Sequence, residues 1–428
     1  MTFAEVILWG TKIGTAAFDH STGLGSFEYE PAFLASGIEV APITMPLSRR
    51  VFRFPELEKQ SFHGLPGLLA DSLPDKFGNA VINAWLESQG RSPESFDPVE
   101  RLCYTGARGM GALEYRPANG PSAEKSESIA IDRLVQFASD ILNSREKIQI
   151  KVSENTMQEI IKVSSSAGGA RAKGLIAWNE ETGDIRSGQI NAGEGYDYWL
   201  IKFDGVSKNG DREGEDPPHY TKIEYAYHLM AKDAGIAMSE CRLYEENGRH
   251  HFMTRRFDRN PRTGDKYHLL SLGGMAHFDF NQPGAYSYEQ AALVMRQLRL
   301  SNKELAQFFR RAVFNVLARN QDDHVKNISF LMDRTGHWSL SPAYDITYSY
   351  NPGGMWTGSH QMCINGKRES IERSDLLACA KSMGIKKSVA EQAIHEVQSS
   401  VNNWMTFAET AGVKEEVAKQ IAGQFIVF

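Results

Sequence analysis

The 428-residue chain is 41% apolar and 23% charged, with a net charge of −6 and an isoelectric point near 6.1. This is an ordinary soluble composition, long enough for two or three cores, and its acidic balance argues against a general nucleic-acid binder. The four cysteines (Cys103, Cys241, Cys363, Cys379) are far apart and form no C-x-x-C pair, which argues against a disulfide frame or zinc site and for a reducing compartment. The N-terminus carries no basic leader, and no apolar run reaches about 18 residues. A cytoplasmic protein with no membrane partner is therefore expected.

Val6 to Phe18 reads as a β-hairpin turning near Gly10, with further strands around Ser26 to Tyr29 and, with a weaker pattern, Pro46 to Phe54. Leu65 to Gly78 opens a helix whose apolar face includes Val81, Ile82, Trp85 and Leu86. Gly106 to Glu114 is glycine-rich but lacks a strand-to-helix context, so it reads as a loop. The stretch from Asn119 is the expected linker, and Ile131 to Leu142 is the next helix.

Val163 to Ile176 contains Ser164, Ser165, Ser166, Ala167, Gly168, Gly169, Ala170, Arg171, Ala172 and Lys173. Small residues let backbone N–H groups approach phosphates, and Arg171 and Lys173 add positive charge. The same composition also suits a flexible hairpin tip. A strand follows at Tyr198 to Phe203, where alternation puts Lys202 on one face with Leu200. After a polar loop from Gly205 to His219, Thr221 to Ala234 reads as a helix with Glu224 in its first turn. A strand lysine paired with a helix glutamate is how kinases steady the lysine that touches phosphates, and Lys202–Glu224 is the candidate pair. Glu240 to Thr254 is a hairpin with an Asn247-Gly248 turn, leading into Arg255-Arg256-Phe257-Asp258-Arg259 as a hinge between lobes. From Tyr288 the pattern is mainly helical, and Ser388 to Ile421 reads as two helices.

The stretch from Leu305 to Tyr350 carries the chemistry. Apolar residues at helical spacing run from Leu305 to Leu317, and a polar loop follows from Asn320 to Asn327. A hairpin built from Ile328 to Met332 and Trp338 to Leu340 then delivers Pro342-Ala343-Tyr344-Asp345. Kinases place a catalytic Asp and a metal-binding Asn five positions apart on one loop, with a second metal-binding Asp beyond it. Asp322 and Asn327 have that spacing, and Asp345 is the returning acid. Mg²⁺ takes a few oxygen ligands and leaves room for phosphate oxygens and water, which suits Asn327 and Asp345. Hydrolysis by Asp322, Asp323 and His324 on a metal fits less well, because no H-E-x-x-H spacing accompanies them.

These segments resemble the HipA family of serine/threonine kinases, the toxins of bacterial toxin–antitoxin pairs. Leu68 to Asp75 is similar to the family's N-terminal motif and Ser165 to Lys173 to its glycine-rich loop. Arg256 to Arg259 is similar to the interlobe motif, Asn320 to Asn327 to the catalytic loop, Pro342 to Asp345 to the metal-binding segment, and Ile364 to Arg368 to a downstream motif. The resemblance implies an α+β, bilobal protein-kinase-like fold, with an N-terminal α+β subdomain over 1–120, an N-lobe over 121–257 and a helical C-lobe over 258–428. It implies Asp322 as the base and Asn327 and Asp345 on Mg²⁺. ATP phosphates would be held by Lys202 and the loop from Ser166 to Lys173, with Arg255, Arg256 and Phe257 along the adenine. His324 and Lys326 would lie near the phosphates and Tyr344 beside the nucleotide. It further implies autophosphorylation within Ser164, Ser165 and Ser166, with Ser166 preferred. Arg171 departs from the family's more frequent Gln. The implied partners are a protein substrate, such as an aminoacyl-tRNA synthetase, and a helix-turn-helix, HipB-like antitoxin through which the chain meets DNA indirectly. The alternatives are a small-molecule phosphotransferase and a non-catalytic kinase-like corepressor.

Overall fold

The computed structural model describes residues 1–120, 128–143, 171–206, 220–260 and 263–428. Strands β1 (Thr2–Leu8), β2 (Thr11–Asp19), β3 (Leu24–Tyr29) and β4 (Leu113–Arg116) form an antiparallel sheet in the order β3-β2-β1-β4. The first hairpin closes through Trp9 and Gly10, both at positive φ, the two-residue turn whose twist matches paired strands. The expected strand at Pro46 to Phe54 does not form; only an isolated bridge joins Phe52 to Phe27. The expected helix from Leu65 is divided into α2 (Gly67–Ala70) and α3 (Lys76–Ser88), after a short α1 (Lys59–Phe62). Pro74 interrupts the first run, and Asp75 starts the second by accepting the Gly78 N–H at 2.6 Å. Gly106 to Glu114 is not loop throughout, since Leu113 and Glu114 open β4 after α4 (Pro98–Thr105).

A second sheet contains β5 (Lys173–Trp178), β6 (Ile185–Ser187), β7 (Asp197–Lys202), β8 (Cys241–Glu246) and β9 (Arg249–Arg255), ordered β6-β5-β7-β9-β8 and antiparallel. Lys173 therefore lies in a strand rather than in the glycine loop where its sequence neighbours placed it. Helices α5 (Ile131–Asn143) and α6 (Tyr220–Asp233) follow the expected ranges closely. The Ser164 to Ala170 part of the glycine-rich segment lies outside the described residues, as does most of the Gly205 to His219 loop.

A third sheet of β10 (His268–Ser271), β11 (Ser329–Met332) and β12 (Trp338–Leu340) introduces the helical part. That part comprises α7 (Leu272–Ala276), α8 (Tyr288–Gln297), α9 (Asn302–Leu317), α10 (Arg373–Ser382), α11 (Lys387–Asn402), α12 (Trp404–Thr410) and α13 (Glu415–Ala422). The tail thus has three helices where two were expected, because the chain turns at Asn403. Helix α9 starts with a Ser301–Glu304 capping box, and its Leu305, Phe308, Phe309, Ala312, Val313, Val316 and Leu317 are all buried. Each such large side chain removed from water contributes roughly 1.5–3 kcal/mol, which fixes the helix end from which the Asn320 to Asn327 loop departs.

Two cores result. One joins the first sheet to the helical part; the other packs α3 and α5 against the second sheet. Packing interleaves across the boundaries expected at 120/121 and 257/258. Helix α3 enters the second core through Phe77, Val81 and Ile82. Helix α6 belongs to the first, where the Tyr227 hydroxyl donates to the Ala318 carbonyl at 2.6 Å. Among the described residues no helix is long and apolar enough to cross a membrane.

Candidate active site

Strand β7 ends on Lys202, whose neighbours across the sheet are Lys173 and Phe252. Its side chain points inward and is nearly enclosed. The ammonium donates to Glu224 Oε1 on α6 at 2.6 Å and also contacts Asp345 Oδ1 closely. The candidate pair read from strand alternation and helix phase therefore forms. Burial alone would push the Lys202 ammonium down, but Asp345 and Glu224 outweigh it and hold the pKa above the ordinary lysine value. Burial likewise pushes Asp345 up, and Lys202 and then Lys173 reverse this, holding its carboxyl at about 2. For Glu224 burial wins, leaving its carboxyl above the ordinary value.

Asp345 itself sits at φ 51°, a left-handed conformation uncommon for a residue with a side chain. Its segment is tied on both sides. The Ala343 N–H donates to Ala237 at 2.8 Å, and the Tyr344 hydroxyl donates to the Lys326 carbonyl at 2.6 Å and lies 2.5 Å from Ser329 Oγ. Strain of this kind persists only where surroundings over-determine it, and such residues cluster at functional sites.

The Asn320 to Asn327 loop leaves α9 through Arg319, also at positive φ. Its adjacent acids turn opposite ways. Asp323 is buried, accepting from the Tyr288 hydroxyl at 2.8 Å and the Gln361 N–H at 2.7 Å, with His360 Nδ1 at 2.9 Å. Burial pushes its carboxyl up, and His360 with these hydrogen bonds outweighs that, so the net shift is downward. Asp322 lies toward the open side, where Trp356 Nε1 donates to its Oδ1 at 2.7 Å. Two neighbouring acids thus separate into an anchor and an accessible carboxylate. His324 Nε2 stands 3.9 Å from Asp322 Oδ1, while its Nδ1 accepts the Lys326 N–H at 3.2 Å. Asn327 Nδ2 donates to the Asp322 carbonyl at 2.8 Å, leaving the amide oxygen as the donor atom for a cation. His324, Asn327, Tyr344 and Asp345 line one cavity.

Among the described residues no group of three or more His, Cys, Asp or Glu is placed to hold a metal ion, so the Asp322–Asp323–His324 hydrolytic site finds no support. The Asn327 amide oxygen and the Asp345 carboxylate are a different donor set: two hard oxygens on one cavity, the pattern Mg²⁺ accepts when phosphate and water complete its shell.

Other residues named from sequence are dispersed around this centre. The Arg171 guanidinium lies 4.3 Å over the Tyr220 ring. The Lys326 ammonium lies 4.7 Å over the Phe280 ring. Arg255 binds Asp197 and, at 3.3 Å, Glu240. Arg256 is wholly buried: Nε and Nη2 fork onto Asp258 at 2.9 and 2.6 Å, and Nη1 donates to the Gly188 carbonyl at 2.8 Å. Phe257, the next residue, stacks obliquely on Tyr344 with centroids 5.5 Å apart. The glycine-loop residues Ser166, Ala167, Gly168, Gly169 and Ala170 lie outside the described residues.

Sequence reasoning missed three participants. Asp75, the cap of α3, forms a buried ion pair with Lys173 at 3.3 Å, linking the Leu68 to Asp75 motif to the sheet beside Lys202. Trp356 and the Tyr288, His360 and Gln361 partners of Asp323 were also unread. Asp75 stands in the Leu68 to Asp75 motif, but no local pattern points to its contact with Lys173, nor to Trp356, while the paired acids 322 and 323 do signal that one has another task.

Residues 4–116 match the family model of the HipA N-terminal domain, and residues 165–422 that of the HipA-like C-terminal domain. HipA of Shewanella oneidensis MR-1, solved in complex with HipB and operator DNA, superposes with a TM-score of 0.70, covering 98% of this chain and 94% of that one at 18% identity. The fold is the α+β, kinase-like one. A Helicobacter pylori proinflammatory kinase, CtkA, aligns with 55% of this chain and 89% of its own at TM-score 0.33 and 12% identity. A Haemophilus influenzae protein whose name calls it a kinase only provisionally is 29% identical over 162 residues. That match covers 34% of this chain and 47% of the other, so it spans about half of the relative's length.

Proposed function

The chain belongs to the HipA family, and from that premise we propose that it is an ATP-dependent serine/threonine protein kinase. The observation that carries the reading is Lys202, held between Glu224 and Asp345, with Asp345 in turn lining the cavity that Asn327 also lines. In this reading Asp322 accepts the proton of the attacking hydroxyl, and Lys202, released from Asp345, meets the phosphate charge. Asn327 and Asp345 would hold Mg²⁺, which when bound neutralises charge on the phosphate oxygens. The protein's work is positioning: little covalent chemistry is asked of its side chains.

The cellular role proposed is a toxin that arrests growth by phosphorylating a translation-related protein, such as an aminoacyl-tRNA synthetase. A HipB-like, helix-turn-helix antitoxin would neutralise it. Support for such a partner comes from the Shewanella relative, solved with HipB and operator DNA, and from the net charge of −6, which leaves DNA contact to the partner. Self-phosphorylation within Ser164, Ser165 and Ser166 would add about −1.5 to −2 charges beside ATP phosphates. Like-charge repulsion would then switch the enzyme off.

The test is incubation with Mg-ATP followed by intact-mass and peptide analysis. The expected result is phosphate confined to Ser164, Ser165 or Ser166, and its loss by at least ~10²-fold in Asp322→Ala. Folded protein that gains no phosphate, or an Asp322→Ala variant that keeps near-full activity, contradicts the reading.

A further inference from the structure

Helix α9 buries an apolar face, and one charge interrupts it. Phe308, Arg311 and Asn315 stand at positions i, i+3 and i+7. One side of the helix therefore presents all three to the cavity that Asn327 and Asp345 also line. Arg311 is only 6% exposed. Its Nη2 donates to the Ser341 carbonyl at 2.5 Å, and its Nε has no hydrogen-bond partner among the described residues. Asn320 Oδ1, on the same cavity, is likewise buried and unpartnered among them.

The other buried cations around this centre are matched by acids. Lys202 has Glu224 and Asp345, Lys173 has Asp75, and Arg256 has Asp258. Arg311 forms no ion pair among the described residues. Burial pushes its guanidinium down to about 10, with Tyr344 acting the other way, so it is still charged at neutral pH. The acids on the same cavity are engaged elsewhere: Asp345 with Lys202, and Asp323 with His360, Tyr288 and the Gln361 N–H. The cavity, of about 30 Å³, has room for water. Water there would bond Nε and Asn320 Oδ1 but would bring no charge to offset the guanidinium. A buried cation without a carboxylate costs stability, and such costs are borne at functional sites.

We propose that Arg311 is a fixed positive charge for the polyphosphate chain of the nucleotide, held in the fold at a cost in stability. This rests on the reading of the cavity as part of an ATP site. A charge already in place and shielded from water needs no reorganisation when an anion arrives. The phosphates supply the negative charge that the protein does not.

The test is displacement of a fluorescent ATP analogue from the full chain by ATP, ADP and adenosine, with thermal unfolding of each variant alongside. Arg311→Gln keeps a donor for the Ser341 carbonyl and removes the charge, whereas Arg311→Lys keeps the charge. In Arg311→Gln, ATP is expected to bind about 10-fold more weakly, ADP less affected and adenosine unchanged. Its melting temperature should equal or exceed that of wild type. Arg311→Lys should bind all three as wild type does. Unchanged ATP binding in Arg311→Gln, equal weakening of ATP and adenosine, or a Lys variant as weak as the Gln one overturns the proposal. A lower melting temperature or a failure to fold in Arg311→Gln also overturns it, because the charge would then serve the structure. In each of these cases, wild type that gains phosphate from Mg-ATP leaves the kinase reading standing. If wild type binds no ATP or gains no phosphate, the kinase reading fails and this inference fails with it.

Discussion

Substituting Asp258 by Asn tests how the lobes are held together. Asp258 is fully buried and receives both arms of the Arg256 fork, at 2.9 and 2.6 Å. Its Oδ2 also accepts the Gly111 N–H at 2.8 Å, joining the segment before β4 to the hinge after β9. Asn would keep one acceptor oxygen but turn an NH₂ toward groups that are themselves donors. The Arg256 charge, with no exposed side-chain surface, would lose its counterion. Removing one partner of a buried pair costs about 3–5 kcal/mol. In a chain of 428 residues that corresponds to a fall in melting temperature of about 3–6 °C. Thermal unfolding followed by near-UV circular dichroism gives the value. The double variant Arg256→Met/Asp258→Leu should lose less than Asp258→Asn alone, because it leaves no orphaned charge. Equal losses in the two, or a single variant within about 1 kcal/mol of wild type, would refute the reasoning.

The same pair fixes a pH dependence. Burial pushes the Asp258 carboxyl up, but Arg256, Arg259 and the Gly111 N–H outweigh it and hold it at about 2. A depressed folded pKa stabilises above the unfolded aspartate value near 3.9 and is lost as pH falls through the window down to about 2. The stability gap between wild type and Asp258→Asn, read by urea unfolding, should therefore narrow below about pH 4; a gap that widens would contradict the assignment. Lys202→Met should lower phosphorylation by at least ~10²-fold, with weaker binding of a fluorescent ATP analogue, and full activity would remove Lys202 from the site.

Where local pattern carries the information, the sequence was readable. Helix α9, the β8–β9 hairpin and the β11–β12 hairpin follow from apolar periodicity and turn residues. Lys202–Glu224 was legible because a strand's alternation and a nearby helix each offered one partner. The failures share a cause: the deciding contact is remote. Leu113 and Glu114 looked like loop within a glycine run, but pairing with Leu8 and Ile7 makes them strand. Lys173 followed a glycine loop in sequence, yet pairs with Lys202 across the sheet and with Asp75 from α3. Arg256 reads from sequence as a nucleotide contact, and its side chain forms a buried ion pair with Asp258, two positions along the same segment. Trp356 reaches Asp322 across 34 positions, a distance over which no periodicity speaks.

The decisive measurement is a crystal structure of the chain grown with Mg²⁺ and a non-hydrolysable ATP analogue. The account predicts a metal ion bound by Asn327 and Asp345, Lys202 on a phosphate oxygen with Glu224 still beside it, and Asp322 facing the terminal phosphate. A nucleotide bound elsewhere, or those side chains still turned away from it, would contradict the account.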